Sequence, residues 1–453
     1  MAIQITSQTS WFDTLRARLA TRASTRPADY VLATVVGLLL LIGLMMIYSV
    51  SVGPNLQVGS DDPFSLVERH LSMMAIGLAV MFILARLDYH LLMKYAVPMM
   101  LVTVALLVTL LIFGHEENGA RRWLLGPSVQ PGEIAKLITI IYVAAWAASK
   151  GKKLKRLVYG LIPFSILIGL IAGLIILQPN YSTALLIAGV AFAMFFIAGA
   201  DIKQFMGAGL FGGAVAVLVV TQSARAMARI GTLYVEPTKE LTDGSWQMAQ
   251  TLIALASGGI FGKGLGTGGG QYGYVPLAHS DGIFAIWGEE TGLIGAIILV
   301  GLLVVLTYRG FRIARNAPDD FGRVLAAGIT FWVVLQAFVN IGVVTQLIPF
   351  TGQPLPFISY GGSSLVMCLA SIGILLSISR SLPKPPVVKS VPTVGGASTN
   401  ENQPTSWRSR LISRNETTKK NATISYGGGD GRTRVSTRRR ASASRRRAKP
   451  PAD

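Results

Sequence analysis

The sequence predicts an all-α polytopic integral membrane protein with ten transmembrane helices and a large extracytoplasmic loop between the seventh and eighth. Three observations support this prediction. Hydrophobic residues make up 51% of the 453 residues and charged residues only 14%, whereas soluble domains are about 25% charged. The mean hydropathy is +0.52. Apolar runs also recur along the chain, each close to the roughly 20 residues that a helix needs to cross a bilayer.

The predicted spans follow these apolar runs. They lie near residues 31–52, 70–87, 93–114, 133–149, 158–177, 182–199, 204–222, 282–307, 322–346 and 360–380. The first is predicted to be retained, because no cleavable signal pattern precedes it. The single cysteine, Cys368, falls in the last span. An intramolecular disulfide is therefore excluded, and a cysteine-based metal cluster is not expected.

Basic residues predict the orientation of the chain. Residues 149–157 contain five Lys and Arg, and residues 308–323 contain four Arg. Cytoplasmic loops of membrane proteins carry an excess of such residues, so both loops are assigned to the cytoplasm. With ten spans, both termini are then cytoplasmic, and the long loops 115–132 and 223–281 face outward. This arrangement predicts a multi-pass protein of the cytoplasmic membrane.

Three regions differ in composition. Residues 1–30 are predicted to be a cytoplasmic extension, residues 31–380 the transmembrane domain, and residues 381–453 a basic cytoplasmic tail. The tail is rich in Pro, Ser, Thr and Gly, with 16 Lys and Arg against 4 Asp and Glu. This composition predicts disorder and attraction to anionic lipids. We expect no nucleic-acid binding, because the basic runs lack interleaved aromatic residues and a fold.

Asp281 is the carboxylate that we single out. It follows a glycine-rich stretch, residues 258–273, and opens the eighth predicted span. Ionisable groups at a membrane boundary are costly and usually functional. On one helix, Glu289 would lie about 80° around from Asp281 and roughly 12 Å deeper, with Glu290 on the opposite face. We therefore predict that Asp281 is the accessible carboxylate, and that the two glutamates bond to neighbouring helices or line a lower cavity.

Cationic residues cluster in the first outward loop. Arg121 and Arg122 precede a tryptophan, and their forked donors suit a phosphate or pyrophosphate. The alternative is a pair of snorkelling arginines at the membrane interface. Glu133 and Lys136 open the fourth span, three residues apart on one helix face. They form either part of a site or a purely structural ion pair.

Two broken elements are also predicted to face outward: the turn 178–183 and the proline-rich segment 349–364. Three prolines followed by two glycines cannot form a straight helix. Non-helical backbone at membrane depth is tolerated where it is buried in protein or lines a wet cavity. We therefore expect these elements to converge on one outward cavity. A P-loop nucleotide site is excluded, because Ser257 occupies the first glycine position and Gly264 stands where Ser or Thr is required.

Six motifs together resemble the SEDS family (shape, elongation, division and sporulation). They are Asn118-Gly-Ala-Arg-Arg-Trp-Leu, Gln130-Pro-Gly-Glu-Ile-Ala-Lys136, Gly258-Gly-Ile-Phe-Gly-Lys-Gly-Leu-Gly266, His279-Ser-Asp-Gly-Ile-Phe-Ala285, Gly288-Glu-Glu-Thr-Gly292 and Pro354-Leu-Pro-Phe-Ile-Ser-Tyr-Gly-Gly-Ser-Ser364. The resemblance runs from about residue 30 to 380. The last motif, the amino-terminal extension and the basic tail are more similar to the division-type than to the elongation-type members.

The resemblance implies a peptidoglycan glycosyltransferase that polymerises lipid II at the outer face of the cytoplasmic membrane during septal wall synthesis. It implies a class B penicillin-binding protein with transpeptidase activity, and other divisome proteins, as partners. The family's essential aspartate matches Asp281, and its Glu/Lys pair matches Glu133 and Lys136. Asn180 stands where the family usually has an aspartate, so a carboxylate role there is in doubt.

We expect Asp281 to act as the general base on the acceptor hydroxyl. Arg121, Arg122 and Lys136 are expected to bind or neutralise the pyrophosphate. The other expected substrate-binding residues are Glu133, His279, Ser359 and Ser363. A divalent cation, Mg²⁺ or Mn²⁺, could share this work, although the sequence contains no closed ligand set.

Three alternatives remain open from the sequence. The first is a lipid II flippase or transporter, which Glu289 and Glu290 favour because carboxylates deep in a span suit alternating access. The second is an elongation-type polymerase of the same family. The third is a non-catalytic division scaffold whose tail recruits partners.

Overall fold

The computed structural model describes residues 28–52, 64–117, 120–123, 130–231, 243–269, 275 and 278–381. The chain divides into two units, Met1–Pro386 and Val387–Asp453, and all of the described residues belong to the first. Nearly all of the predicted amino-terminal extension and of the basic tail therefore lies outside the described residues. Their predicted disorder and lipid attraction stay predictions.

The described part of the chain contains twelve α-helices and one β-hairpin, with a short 3-10 helix (Gly151–Lys155) directly after the fourth α-helix. In chain order they are α1 (Tyr30–Val52), α2 (Ser65–Arg86), α3 (His90–Phe113), β1 (His115–Glu117), β2 (Ala120–Trp123), α4 (Pro131–Lys150), α5 (Leu161–Ile176), α6 (Tyr181–Ile197), α7 (Ile202–Gln222), α8 (Ala224–Gly231), α9 (Asp243–Ser257), α10 (Ile283–Asn316), α11 (Asp320–Val344) and α12 (Gly362–Arg380).

Eight of these helices are long and apolar enough to cross a membrane: α1 to α4, α7 and α10 to α12. The chain is thus a multi-pass, helical membrane protein, as the sequence predicted. Helices α5 and α6 are apolar but have only 16 and 17 residues. These ten helices lie over the positions of the ten predicted spans, although α10 extends to Asn316, beyond the predicted end at residue 307. The crossing of the membrane by all ten stays a prediction.

The hairpin is the feature that an all-α prediction left out. Strands β1 and β2 pair antiparallel in the first predicted outward loop, with Glu116 opposite Arg121. The signal for it was present in the sequence, since Asn118-Gly119 separates the strands and Asn-Gly is a strong hairpin dipeptide. The apolar pattern that identified the spans carries no information about such a polar loop.

Helices α4, α11 and α12 form the interior of the bundle, since most of their residues are buried. Helix α12 packs along α2, and α11 packs against α4, α6 and α10. Helix α7 has no buried residue, and its large apolar side chains, such as Leu210 and Phe211, are exposed. A helix that is hydrophobic all round suits contact with lipid.

The 34-residue helix α10 is interrupted at Gly292, where φ is 69° and ψ is −167°. At this point two N–H groups and two carbonyl groups of the helix, which would otherwise form two helical hydrogen bonds, bond to the glycine-rich loop instead. The four replacements, donor first, are Lys263 to Glu289 (3.0 Å), Gly264 to Glu290 (3.0 Å), Leu293 to Gly259 (2.9 Å) and Ile294 to Ile260 (3.3 Å). The loop therefore satisfies the backbone groups that the break would otherwise leave unpaired.

Glycine is required for this contact. A Cβ on Gly258 would lie 2.1 Å from the carbonyl oxygen of Gly288, and one on Gly262 would lie 2.2 Å from that of Glu290. Gly262 also has a φ of +81°, which other residues rarely adopt. These glycines therefore bring one backbone against another.

Candidate functional site

Asp281 lies in the turn that precedes α10, and it is only 4% exposed. It lines a narrow cleft together with Met248 and Thr251 of α9, and with Phe350. Its carboxylate oxygen Oδ2 lies 3.7 Å from the position that a Cβ would occupy on Gly352. The prediction of an accessible carboxylate is corrected here, because α9 and the proline-rich segment cover Asp281.

Asn340 holds the Asp281 turn against the proline-rich segment. Its Nδ2 donates to the carbonyl oxygens of Asp281 and Gln353, both at 2.9 Å, and the residue is fully buried. Asn340 lies near the end of the apolar helix α11 and was not among the residues predicted from the sequence. Its amide side chain within a predicted membrane span was the signal that could have identified it, because polar groups in a span are costly and usually have hydrogen-bond partners.

Lys136 lies inside the bundle. Its side chain is 0% exposed, and Nζ lies 2.7 Å from Oε1 of Glu133. The same ammonium donates to Oε1 of Gln336 at 3.1 Å and to Oε1 of Gln353 at 3.2 Å. An ammonium has three donors, and all three are used. The structure therefore corrects the expectation that Lys136 contacts a pyrophosphate directly, and it favours the structural reading of the Glu133–Lys136 pair.

The two glutamines extend this contact to other elements. Oε1 of Gln336 also accepts from Nε1 of Trp332 at 2.9 Å, and Nε2 of Gln336 donates to the carbonyl oxygen of Pro354 at 3.0 Å. Nε2 of Gln353 donates to the hydroxyl of Thr183 at 3.2 Å. One buried polar network thus joins α4, α6, α11 and the proline-rich segment. Through Asn340 it reaches the Asp281 turn.

His279 packs against the proline-rich segment beside Asp281. Its ring meets that of Tyr360 edge-on, with centroids 5.6 Å apart. Its carbonyl oxygen accepts from the backbone N–H of Tyr360 at 2.8 Å. Burial lowers the pKa of His279, which favours the neutral imidazole at physiological pH. A neutral ring here offers hydrogen bonds rather than a positive charge.

The two serines that were predicted to bind substrate accept hydrogen bonds from backbone N–H groups. The hydroxyl of Ser359 accepts from the N–H of Leu355 at 2.7 Å, and this serine is buried. The hydroxyl of Ser363 accepts from the N–H of Gln130, which precedes α4, at 3.0 Å. These contacts fix the shape of the proline-rich segment and its junction with the start of α4. They give both serines a role even where no substrate is bound.

The predicted arginine pair lies on strand β2. The backbone of Arg121 pairs with that of Glu116, whereas the side chains of Arg121 and Arg122 lie outside the described residues. Their contact with phosphate stays a prediction. Arg229 of α8 is a cation that the sequence analysis did not single out, and its guanidinium carbon lies 5.7 Å from the ring centroid of Phe350. Since Phe350 lines the Asp281 cleft, Arg229 brings positive charge to its rim.

Glu289 and Glu290 turn to different neighbours, as the helix geometry predicted. Oε1 of Glu289 accepts from Nζ of Lys263 at 2.7 Å and from the backbone N–H of Gly269 at 2.9 Å. Oε1 of Glu290 accepts from the hydroxyl of Ser49, on α1, at 2.5 Å. Both carboxylates are buried. One holds the glycine-rich loop, and the other holds α1.

No cluster of three or more His, Cys, Asp or Glu that could hold a metal ion occurs among the residues that the structure describes. Asp281, the two buried glutamates of α10 and Glu133 face different partners. The expected divalent cation therefore stays a prediction without a ligand set.

A family model described as a cell cycle protein, FTSW_RODA_SPOVE, matches residues 29–384. The chain belongs to the SEDS family. The resemblance carried by the six motifs is thereby confirmed, and it extends over the whole helical region. The match also places Asp281, the Glu133–Lys136 pair and the proline-rich segment within the part of the chain that the family shares.

Curated relatives of this SEDS chain cover most of its length. It is 37% identical over 363 residues to a probable peptidoglycan glycosyltransferase FtsW of Trichlorobacter lovleyi. This alignment covers 79% of this chain and 95% of the relative. It is 38% identical over 356 residues to stage V sporulation protein E of Bacillus subtilis, which covers 78% and 97%.

Solved structures share the fold. A chain from a peptidoglycan synthase complex that coordinates polymerization and crosslinking superimposes with a TM-score of 0.64 at 27% identity, covering 79% of this SEDS chain and 99% of that chain. The rod shape determining protein RodA of Thermus thermophilus gives a TM-score of 0.59 at 27% identity, covering 79% and 98%.

Proposed function

We propose that this SEDS chain is a peptidoglycan glycosyltransferase that polymerises lipid II into glycan strands at the outer face of the cytoplasmic membrane, in septal wall synthesis. The observation that carries the proposal is the position of Asp281, in a cleft at the amino-terminal end of α10, where Asn340 bonds its backbone carbonyl. The relatives named as probable peptidoglycan glycosyltransferases support it. So does the fold shared with a chain of a peptidoglycan synthase complex.

In the proposed reaction Asp281 is the general base. Its carboxylate takes the proton from the 4-hydroxyl of the acceptor GlcNAc while that oxygen attacks the anomeric carbon of the donor MurNAc. The bond between this carbon and the pyrophosphate oxygen breaks, and undecaprenyl pyrophosphate leaves with the electron pair. The anomeric carbon inverts, and one glycosidic bond forms per cycle. A positioned general base typically contributes about 10²- to 10⁴-fold to such a rate.

Positive charge near the cleft would stabilise the departing pyrophosphate. We assign this role to Arg121 and Arg122, whose forked donors match phosphate oxygens. Glu133 and Lys136 act instead through the buried network, as residues that position the proline-rich segment. His279 holds that same segment beside the Asp281 turn, whereas Ser359 and Ser363 fix its shape and its junction with the start of α4. All three therefore shape the wall of the substrate site.

The proposed topology has ten crossings, with α5 and α6 crossing as well, and both termini in the cytoplasm. Side-chain contacts support the sidedness. Asp29, before α1, pairs with Arg309 near the end of α10, and its N–H donates to Ser379 at the end of α12. At the other end, Ser182 donates to the carbonyl oxygen of Thr351. Each contact joins residues that the ten-span model assigns to one side.

The proposed partners are a class B penicillin-binding protein that supplies transpeptidase activity, and other divisome proteins. The structural neighbour from a complex that couples polymerization to crosslinking supports the first. Anionic lipids are proposed to contact the basic tail, residues 381–453. No nucleic acid is expected among the partners.

A lipid II transporter is the competing function. Glu289 and Glu290 were the features that favoured it. In the structure, Lys263 and Ser49 bond these carboxylates, which gives both glutamates a structural use. An elongation-type polymerase would use the same chemistry, and it differs only in the machinery that recruits the chain.

The experiment that tests the proposal supplies purified lipid II to the detergent-solubilised chain, together with its transpeptidase partner. Detergent removes the two sides of the membrane, so a transporter has no detectable product. The proposal predicts long glycan polymers that muramidase digests. Lipid II that remains monomeric in detergent, but is translocated in vesicles by the same preparation, would establish the transporter instead.

A further inference from the structure

Three apolar side chains project from the glycine-rich loop that docks on α10. Ile260 is 59% exposed, Phe261 82% and Leu265 54%. We call these three residues the loop tip. Lys263 lies between them in the sequence, with its ammonium on Glu289. Exposed clusters of large apolar side chains mark surfaces that contact another molecule or a membrane.

The loop tip is held in place by the backbone exchange at the break in α10. The carbonyl oxygen of Ile260 accepts from the N–H of Ile294 at 3.3 Å, and the N–H of Lys263 donates to the carbonyl oxygen of Glu289 at 3.0 Å. The salt bridge between Lys263 and Glu289 adds a side-chain contact of 2.7 Å. The loop tip is therefore exposed even though its loop is hydrogen-bonded to α10.

The depth of the loop tip follows from helix length. Arg309 is the first charged residue towards the carboxyl end of α10 after Glu290. A hydrocarbon core of about 30 Å takes about 20 helical residues. Counting back from Arg309, the opposite boundary of the hydrocarbon falls close to Glu289. The loop docks at residues 289–294 of α10, so its tip lies at this boundary.

The loop tip is continuous with the lipid-facing surface of α10. Leu293, Ile294, Ile297 and Ile298 are all exposed apolar residues on this helix, directly after the break. Ile260 is hydrogen-bonded to Ile294, so one apolar surface runs from the helix onto the loop. A surface that continues a lipid-facing helix at the hydrocarbon boundary fits acyl chains.

We propose that the loop tip is seated in the bilayer, in the leaflet on the Asp281 side, with Phe261 among the acyl chains and Lys263 at the level of the phosphate groups. Asp281 lies in the turn before α10, and the helix rises about 9 Å from Ile283 to Glu289. A seated tip therefore fixes the start of α10, with the Asp281 turn beside it, at about 9 Å above the hydrocarbon edge. The seating does not depend on the proposed function.

Site-directed spin labelling tests the seating. The single cysteine, Cys368, is buried, so a Cys368→Ala background carrying Phe261→Cys receives one nitroxide. Labelling of the unsubstituted chain, in which Cys368 is present, measures whether this buried thiol reacts with the spin label. In liposomes, power saturation compares relaxation of the label by oxygen, which partitions into lipid, with relaxation by a water-soluble nickel chelate.

Two control positions calibrate the scale. Leu210→Cys lies on the exposed apolar face of α7, and Lys153→Cys lies in an exposed basic loop. We expect the label at position 261 to respond to oxygen like that at position 210. A response like that at position 153 would overturn the proposal, because it places the tip in water. A label shielded from both reagents would also overturn it, because protein would then cover the tip.

Discussion

At the scale of single residues, the site depends on amides as much as on charges. Asp281 is the proposed base, but a buried asparagine sets its position. Nδ2 of Asn340 bonds the backbone of the Asp281 turn and that of Gln353. Removing this donor leaves two buried carbonyl groups without their hydrogen bonds from Asn340. Each unsatisfied group lowers the stability by about 1–3 kcal/mol.

The Asn340→Asp variant tests this role. The new carboxylate keeps the shape of the side chain but places oxygen against two carbonyl oxygens. We expect the polymerisation kcat to fall at least about tenfold, in line with about 1.4 kcal/mol per factor of ten, while KM for lipid II changes little. Asn316→Asp, at the exposed end of α10, is the matched control. A loss confined to KM would contradict a positioning role.

The Glu133–Lys136 pair gives a second prediction. Lys136→Met removes the cation and leaves a buried carboxylate, which typically costs about 3–5 kcal/mol. We expect a lower midpoint of thermal unfolding in detergent. Adding Glu133→Gln should recover most of that stability, because no uncompensated charge remains. A single variant as stable as the wild type would contradict the buried pair.

The sequence could predict some of these residues but not all of them. Asp281, Glu289 and Glu290 stand out because carboxylates are rare in apolar segments, and helix geometry separated them correctly. Asn340, Gln336 and Gln353 lie far apart in sequence, and only tertiary packing brings them together. Lys136 was identified, but its burial depends on those glutamines. Its partners could not be derived from spacing along α4.

At the scale of elements, the break in α10 and the loop that repairs it form one unit. Gly262 and Gly266 both have positive φ, +81° and +76°, but only Gly262 is pressed against another backbone. Alanine variants at the two positions therefore separate the free-energy cost of the left-handed conformation from the cost of the close backbone contact.

The Gly262→Ala variant is expected to be less stable than Gly266→Ala. Both pay the strain of a left-handed residue, about 1 kcal/mol or more. Gly262→Ala also places a Cβ 2.2 Å from the carbonyl oxygen of Glu290, which forces the loop away from α10. Thermal unfolding of the two purified variants measures the difference. Equal losses would mean that the loop is not docked as described.

The spans could be predicted because hydropathy alone determines them, whereas the loop elements required more. The hairpin had a sequence signal in Asn118-Gly119. Helices α8 and α9 lie in the predicted outward loop, residues 223–281, where the length of an apolar run is no guide. The break at Gly292 depends on backbone groups of residues 259–264, about 30 positions earlier. A local pattern in α10 could not reveal that exchange.

At the scale of the whole molecule, the proposed ten-span topology assigns the cleft and the basic loops to opposite sides of the membrane. Thr267 and Lys153 are both exposed, and the proposal assigns them to the outside and the cytoplasm. We expect a membrane-impermeant maleimide to label Thr267→Cys in intact cells, and to label Lys153→Cys only after permeabilisation. The reverse pattern would invert the topology and place Asp281 away from the outer face.

The central claim is that Asp281 is the base for glycan polymerisation. Its most direct test compares the wild type with Asp281→Asn, using lipid II and the same transpeptidase partner. The amide keeps the size of the side chain but cannot take a proton, so we expect a polymerisation rate lower by about 100-fold or more, with unchanged thermal stability. Polymerisation by Asp281→Asn within a few-fold of wild type would contradict it.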